Sequence, residues 1–127
     1  MPETPARLRP WLEEFSAALS APDRADWSTL FVENCFWRDF VAFSWNIVTV
    51  EGVDAIAAMA SAQARAIGAK NLAPDDPTLP MTDARQGWFT FETATARCRG
   101  YVQFEGDKAK VLVTTLLELI EIGRAHV

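Results

Sequence analysis

At 127 residues, half of them hydrophobic and 23% charged, the chain is one globular domain's worth, long enough to bury a core without staples. Seventeen acidic against twelve basic residues leave a net charge of −5, and the basic residues are spread singly, only three of them lysines. That balance excludes the basic footprint of a nucleic-acid binder, and no apolar run approaches the roughly 20 residues that span a bilayer.

In chain order, "RLRPWLEEFSAALSAPD" places Leu8, Trp11, Leu12, Phe15, Ala18 and Leu19 at helical spacing. Pro10 is tolerable in a first turn, and Pro22 with Asp23 stops the helix. A short second helix is expected over "RADWSTLF". "NCFWRDFVAFSW" then reads as a strand, "NIVTV" as another, and "EGVDAIAAMASAQARAIGAK" as a third helix ended by Gly68. The inner face of that helix would be Val53, Ile56, Ala57, Ala60, Ala64 and Ile67. "NLAPDDPTLPMTD" holds Pro74, Pro77 and Pro80 and is expected to carry no regular element.

The remainder is β-patterned: "QGWFTFETA", "ARCRGYVQF", the turn "EGDK", and "AKVLVTTLLELI". In the middle strand Arg97, Arg99, Tyr101 and Gln103 alternate with Cys98, Val102 and Phe104. Helices first and antiparallel strands last predict an α+β domain, with helices packed on one side of a curved sheet. Cys35 and Cys98 have neither metal-ligand spacing nor a disulfide framework and read as free thiols of a reducing compartment. "MPETPARLRP" lacks the apolar segment of a secretory signal, so the expected location is cytoplasmic.

"LFVENCFWRDFVAFSWNIVTVEGVDAI", together with "KVLVTTLLEL", resembles the nuclear transport factor 2-like (SnoaL-like) superfamily. Within it, the resemblance is strongest to the N-terminal domain of flavin-containing monooxygenase-like proteins. It runs from about Trp11 to Leu119, and "FWRDFVAFSW" is its most specific part. The chain departs from that pattern at Asn46, Val50 and Glu51, where relatives often carry an acidic residue, an aromatic residue and a histidine.

The resemblance implies a cone of curved, mixed or antiparallel sheet with the N-terminal helices on its concave side, spanning residues 1–120. It also implies a parent oxidoreductase that uses FAD and NADPH, with both sites in a downstream flavin-binding domain of the same chain. The six glycines, Gly52, Gly68, Gly87, Gly100, Gly106 and Gly123, cannot form the G-x-G-x-x-G turn that cradles a pyrophosphate, so no cofactor is expected in this domain itself. The tail "EIGRAHV", back-translated as GAG ATC GGA AGA GCA CAC GTC, matches the opening bases of a common sequencing adapter. Residues 121–127 are therefore expected to be non-native, and His126, the single histidine, to carry no function.

Arg38 and Asp39 stand between two clumps of large rings. Neighbours on a strand point to opposite faces, so Arg38 goes with Phe36 and Phe40, and Asp39 with Trp37 and Val41. Which of the two looks into the cone is open at this level. Some superfamily enzymes use a desolvated carboxylate as a base, which makes Asp39 a candidate, with the Tyr101 hydroxyl as donor to a developing oxyanion. The competing reading has Asp39 bonded to backbone or an arginine and shaping the sheet.

Trp37, Arg38, Phe40, Phe43, Trp45, Trp88 and Arg99 are the candidate lining of a small apolar ligand's pocket; most such rings are ordinary core. Arg38, Arg97 and Arg99 suit an anion or another domain, or else a solvated face with partners such as Glu92. Glu13, Glu14, Asp75 and Asp76 read as solvated surface. With His126 set aside, no histidine remains to activate a serine or cysteine or to ligate zinc.

Three readings follow: an accessory domain of a flavin-containing monooxygenase-like protein; a free-standing isomerase, cyclase or dehydratase with Asp39 as base; or a non-catalytic ligand-binding or homodimerising module.

Overall fold

The computed structural model describes residues 7–40, 42, 47–75 and 85–119, excepting the side chains of residues 64–66. Helix α1, Leu8–Ser20, buries Leu8, Trp11, Leu12, Phe15, Ala18 and Leu19, the face its spacing predicts. It ends at Ala21, just before Pro22, which has no N–H to continue the ladder.

The expected second helix is a single 3₁₀ turn, Trp27–Thr29. Asp26 caps its start: the carboxylate accepts from the Ser28 backbone N–H and hydroxyl. β1, Phe31–Phe40, begins immediately afterwards. β2, Ile47–Glu51, turns back along it, and Gly52 at φ 89° opens α2, Val53–Ile67. Ile56, Ala60 and Ile67 are buried on the inner side of α2, with Val53 and Ala57 partly buried against the core; the Ala64 side chain lies outside the described residues.

β3, Lys70–Pro74, corrects the expectation of an irregular stretch. It is an edge strand, which tolerates proline because one side of its ladder is unused. β4 (Gln86–Glu92), β5 (Ala96–Glu105) and β6 (Lys108–Leu119) form the expected β-block, with Gly106 at φ 65° in the β5–β6 turn.

One six-stranded sheet results, in the order β2-β1-β6-β5-β4-β3. Every neighbouring pair is antiparallel except β1 and β6, which run parallel and join the two halves of the chain. The sheet does not close: β2 and β3 are its edges. Register shifts in β1, at Arg97/Cys98 and at Gln103/Phe104 bend it around the helices.

Aromatic rings bind α1 to the inner face. Trp11 stacks on Phe15 at 4.8 Å and meets Phe31 and Phe104 edge-on at 5.9 Å. Its indole N–H donates to the Leu30 carbonyl at 3.0 Å, so the polar end of the ring is satisfied in the core. Each fully buried ring contributes roughly 1.5–3 kcal/mol. Among the described residues, no helix is long and apolar enough to cross a membrane.

Candidate functional site

Strand alternation on β1 sends Cys35, Trp37 and Asp39 inward and Phe36 and Arg38 outward. Asp39 has no exposed surface, and neither has Trp37 or Thr114. The three are joined: the Trp37 indole N–H donates to Thr114 Oγ1 at 2.8 Å, and the Thr114 hydroxyl donates to Asp39 Oδ1 at 2.6 Å. The ladders explain the meeting, because Asp39 pairs with Thr114 across β1–β6 and Trp37 lies two residues back on the same face. A buried carboxylate is tolerable only with such hydrogen bonds.

The same inner row continues through Gly100 to Phe89. A Cβ on Gly100 would lie 2.1 Å from Phe89 Cζ, so the ring occupies the space that this glycine leaves. One register step away is Cys98, whose thiol is pushed up to about 12, first by burial and then by the negative charge of Asp39. Burial also raises the Cys35 thiol, so both cysteines are held as neutral, inert thiols.

The outer face carries most of the other candidates. Arg38 is exposed, donates to Thr49 Oγ1 at 3.1 Å and lies 5.0 Å over the Phe40 ring. Trp88 and Tyr101 meet at 5.1 Å, and the Arg99 guanidinium lies 6.0 Å from the Trp88 ring. Arg99 pairs with Asp75 at 2.9 Å, with the Asp75 side chain 14% exposed. Asp75 is thus an ion-pair partner rather than solvated surface. Arg97 pairs with Glu118 rather than Glu92.

Asp39 and Tyr101 face opposite sides of the sheet, because Tyr101 shares the Val113–Arg38 row while Asp39 shares that of Thr114. Tyr101 therefore supplies no hydroxyl to Asp39; Thr114 does, a residue the sequence reading did not single out. Its signal was the polar pair Thr114–Thr115 interrupting the apolar run of β6. The candidate pocket residues likewise separate: Trp37 is inside, whereas Arg38, Phe40, Trp88 and Arg99 are on the outer face. Phe43 and Trp45 lie outside the described residues, as does the expected tail at 121–127.

Cavities open elsewhere. One of about 510 Å³ lies beside Ala17, Ala21 and Arg24, and another of about 320 Å³ runs over Thr90, Arg97, Cys98 and Leu117. Among the described residues, no group of three His, Cys, Asp or Glu side chains comes together to hold a metal.

No protein-family model and no curated protein matches the sequence. Solved structures do match the fold. A proposed isomerase of the SnoaL-like family from Agrobacterium tumefaciens superposes with a TM-score of 0.67 at 18% identity, over 87% of this chain and 97% of that one. An NTF2-like protein of unknown function from Mesorhizobium loti gives 0.66 at 12% identity, over 92% and 97%. The fold is nuclear transport factor 2-like. A phenazine biosynthesis-related protein from Pseudomonas aeruginosa shares it, with a TM-score of 0.57 at 13% identity, over 91% and 80%.

The described glycines are spread over this fold. Gly52 and Gly106 sit in separate turns, Gly68 ends α2, and Gly87 and Gly100 lie within strands under Leu8 and Phe89.

Proposed function

We propose that this chain is a non-catalytic nuclear transport factor 2-like module that packs against a flavin-binding domain in a flavin-containing monooxygenase-like protein of the cytoplasm. One observation carries the reading. The outer sheet face presents apolar and aromatic side chains in adjoining rows, with Phe36 38% and Ile47 62% exposed and Phe40, Trp88, Tyr101 and Val113 half-buried. Asp39, by contrast, is sealed beneath the opposite face.

An aromatic surface with arginines among its rings has the composition of a protein interface. FAD and NADPH would belong to the neighbouring domain, and a homodimer through this face is the competing occupant. The test is to sequence the gene beyond the codon for Leu119, with primers independent of the library adapter. A frame that continues into G-x-G-x-x-G supports the reading; a native stop codon after Val127 refutes it.

A second reading has its own observation: a fully buried carboxylate hydrogen-bonded to a hydroxyl that an indole N–H also engages. Asp39 would act there as general base in an isomerase, cyclase or dehydratase of an enolisable carbonyl compound. Turnover lost in Asp39→Asn with folding unchanged would support it. Absence of turnover of such compounds by the unsubstituted protein would remove it.

A further inference from the structure

We propose that Arg38 and Thr49 form a carboxylate anchor on the outer sheet face, and that it takes an aspartate or glutamate side chain from a protein surface docked over Phe36, Phe40 and Ile47. That this surface belongs to a flavin-binding domain rests on the first reading above; the chemistry of the anchor does not.

The arginines of the outer face are not equivalent. Arg97 is paired with Glu118 and Arg99 with Asp75. Among the described residues no carboxylate lies within ion-pairing distance of Arg38, Glu51 beside Phe36 included. Its guanidinium instead spends one N–H on Thr49 Oγ1 at 3.1 Å and lies 5.0 Å over the Phe40 ring. The fork therefore keeps further N–H groups to donate, and the Thr49 hydroxyl, whose oxygen accepts from Arg38, keeps its own proton to donate.

The ladder sets the two donors side by side, because Arg38 and Thr49 are direct partners across β1–β2. The contact with Phe40 holds the guanidinium plane on the sheet, so less rotamer freedom is lost when an anion arrives. Around this pair the surface is apolar: Phe36 and Phe40 flank Arg38 on β1, and Ile47 follows on β2, with Phe36 38% and Ile47 62% exposed.

That setting decides the partner's chemistry. A surface that covers the apolar strip strips water from Arg38, and a desolvated guanidinium without an acceptor is costly. The partner must therefore bring an acceptor of opposite charge to this point. A planar carboxylate matches the arginine fork and also reaches a neighbouring hydroxyl.

The test is NMR titration of this chain with two blocked dipeptides, N-acetyl-Phe-Glu-amide and N-acetyl-Phe-Gln-amide, which differ only in the charge offered. The glutamyl peptide should bind about two- to five-fold more tightly, the range of a half-exposed ion pair. Its shifts should centre on Arg38, Thr49 and Phe40, and added salt should shrink the preference. Arg38→Gln should abolish the preference, Thr49→Val should reduce it, and Arg97→Gln should leave it intact.

Equal binding of the two peptides, failure of both to bind, or a preference that survives Arg38→Gln overturns the proposal. Phenylacetate is the third probe: tighter binding than the glutamyl peptide at the same residues would make this a site for a free small acid and overturn the docking assignment. If the preference holds and the gene stops after Val127, the flavin-domain reading fails and the anchor stands. If the frame continues into G-x-G-x-x-G and the preference is absent, that reading stands and the anchor fails.

Discussion

Gly100 lies at the centre of the sheet, paired with Thr114 on one side and Phe89 on the other. Replacing it with alanine should cost about 2–4 kcal/mol. The added Cβ would stand 2.1, 2.4 and 2.6 Å from three atoms of the Phe89 ring, distances that no relaxation of Cβ alone can absorb. Phe89 has no exposed surface and packs 5.8 Å from Phe91 and 6.5 Å from Trp11, so the ring has nowhere to retreat. Overpacking of a filled core costs about 1–3 kcal/mol, and full ejection of the ring would approach the roughly 3–5 kcal/mol of a Phe→Ala change. Urea denaturation reads the difference directly, and the midpoint should fall at unchanged slope. Phe89→Leu in the same chain removes the clashing ring atoms, so the double variant should be more stable than the two single losses added together. A cost for Gly100→Ala below about 0.5 kcal/mol would show that the ring does not occupy the glycine's space.

Other consequences concern charge. The unfolded Cys98 thiol ionises near its ordinary 9.0, while in the folded chain it stays neutral to about 12. The unfolded state therefore loses its proton first, and stability should fall between these values by up to about 1.4 kcal/mol per pH unit. Cys98→Ala should make that alkaline slope shallower, with Cys35 retaining part of it; an unchanged slope would contradict the assignment. Asp39→Asn removes the charge that helps hold the Cys98 thiol up, so thiolate ultraviolet absorbance should appear at lower pH than in the unsubstituted protein. Asp75→Ala should cost about 1 kcal/mol, because it strands Arg99 beside the Trp88 ring. Arg97→Ala should change stability by less than about 0.5 kcal/mol, since both partners of the Arg97–Glu118 pair are more than half exposed. Equal costs in thermal melts would mean that the partial burial of Asp75 has no energetic consequence.

Where a residue's fate depended on its near neighbours in sequence, it was legible. All six positions assigned to the inner face of α1 are buried, since helical spacing alone dictates which side chains share a face. The alternation of β5 was likewise correct at Arg97 through Phe104. What escaped depended on distant partners. Parity placed Arg38 and Asp39 on opposite faces without choosing between them; the choice comes from β6, some 75 positions away, which brings Thr114 beneath Asp39. Tyr101 was paired with Asp39 because a hydroxyl suits an oxyanion, yet its register with Val113 turns it to the other side. The extended start of "NLAPDDPTLPMTD" was hidden by its prolines, although an edge strand can end on one.

The two charges of "WRDF" therefore have separate explanations. A strand buried on one face and exposed on the other can carry a cation and an anion side by side without their neutralising each other, because the sheet itself keeps them apart. Arg38 keeps its guanidinium in contact with water and with the Phe40 ring, where it can serve recognition. Asp39 gives up water and requires internal donors. Moving either residue by one position would exchange their environments: Arg38 would enter a core built around Trp37, and the carboxylate would leave Thr114 with a proton to donate and no acceptor. The order Arg-Asp is thus tied to the order Thr114–Thr115 on β6, because only the inward threonine meets the carboxylate.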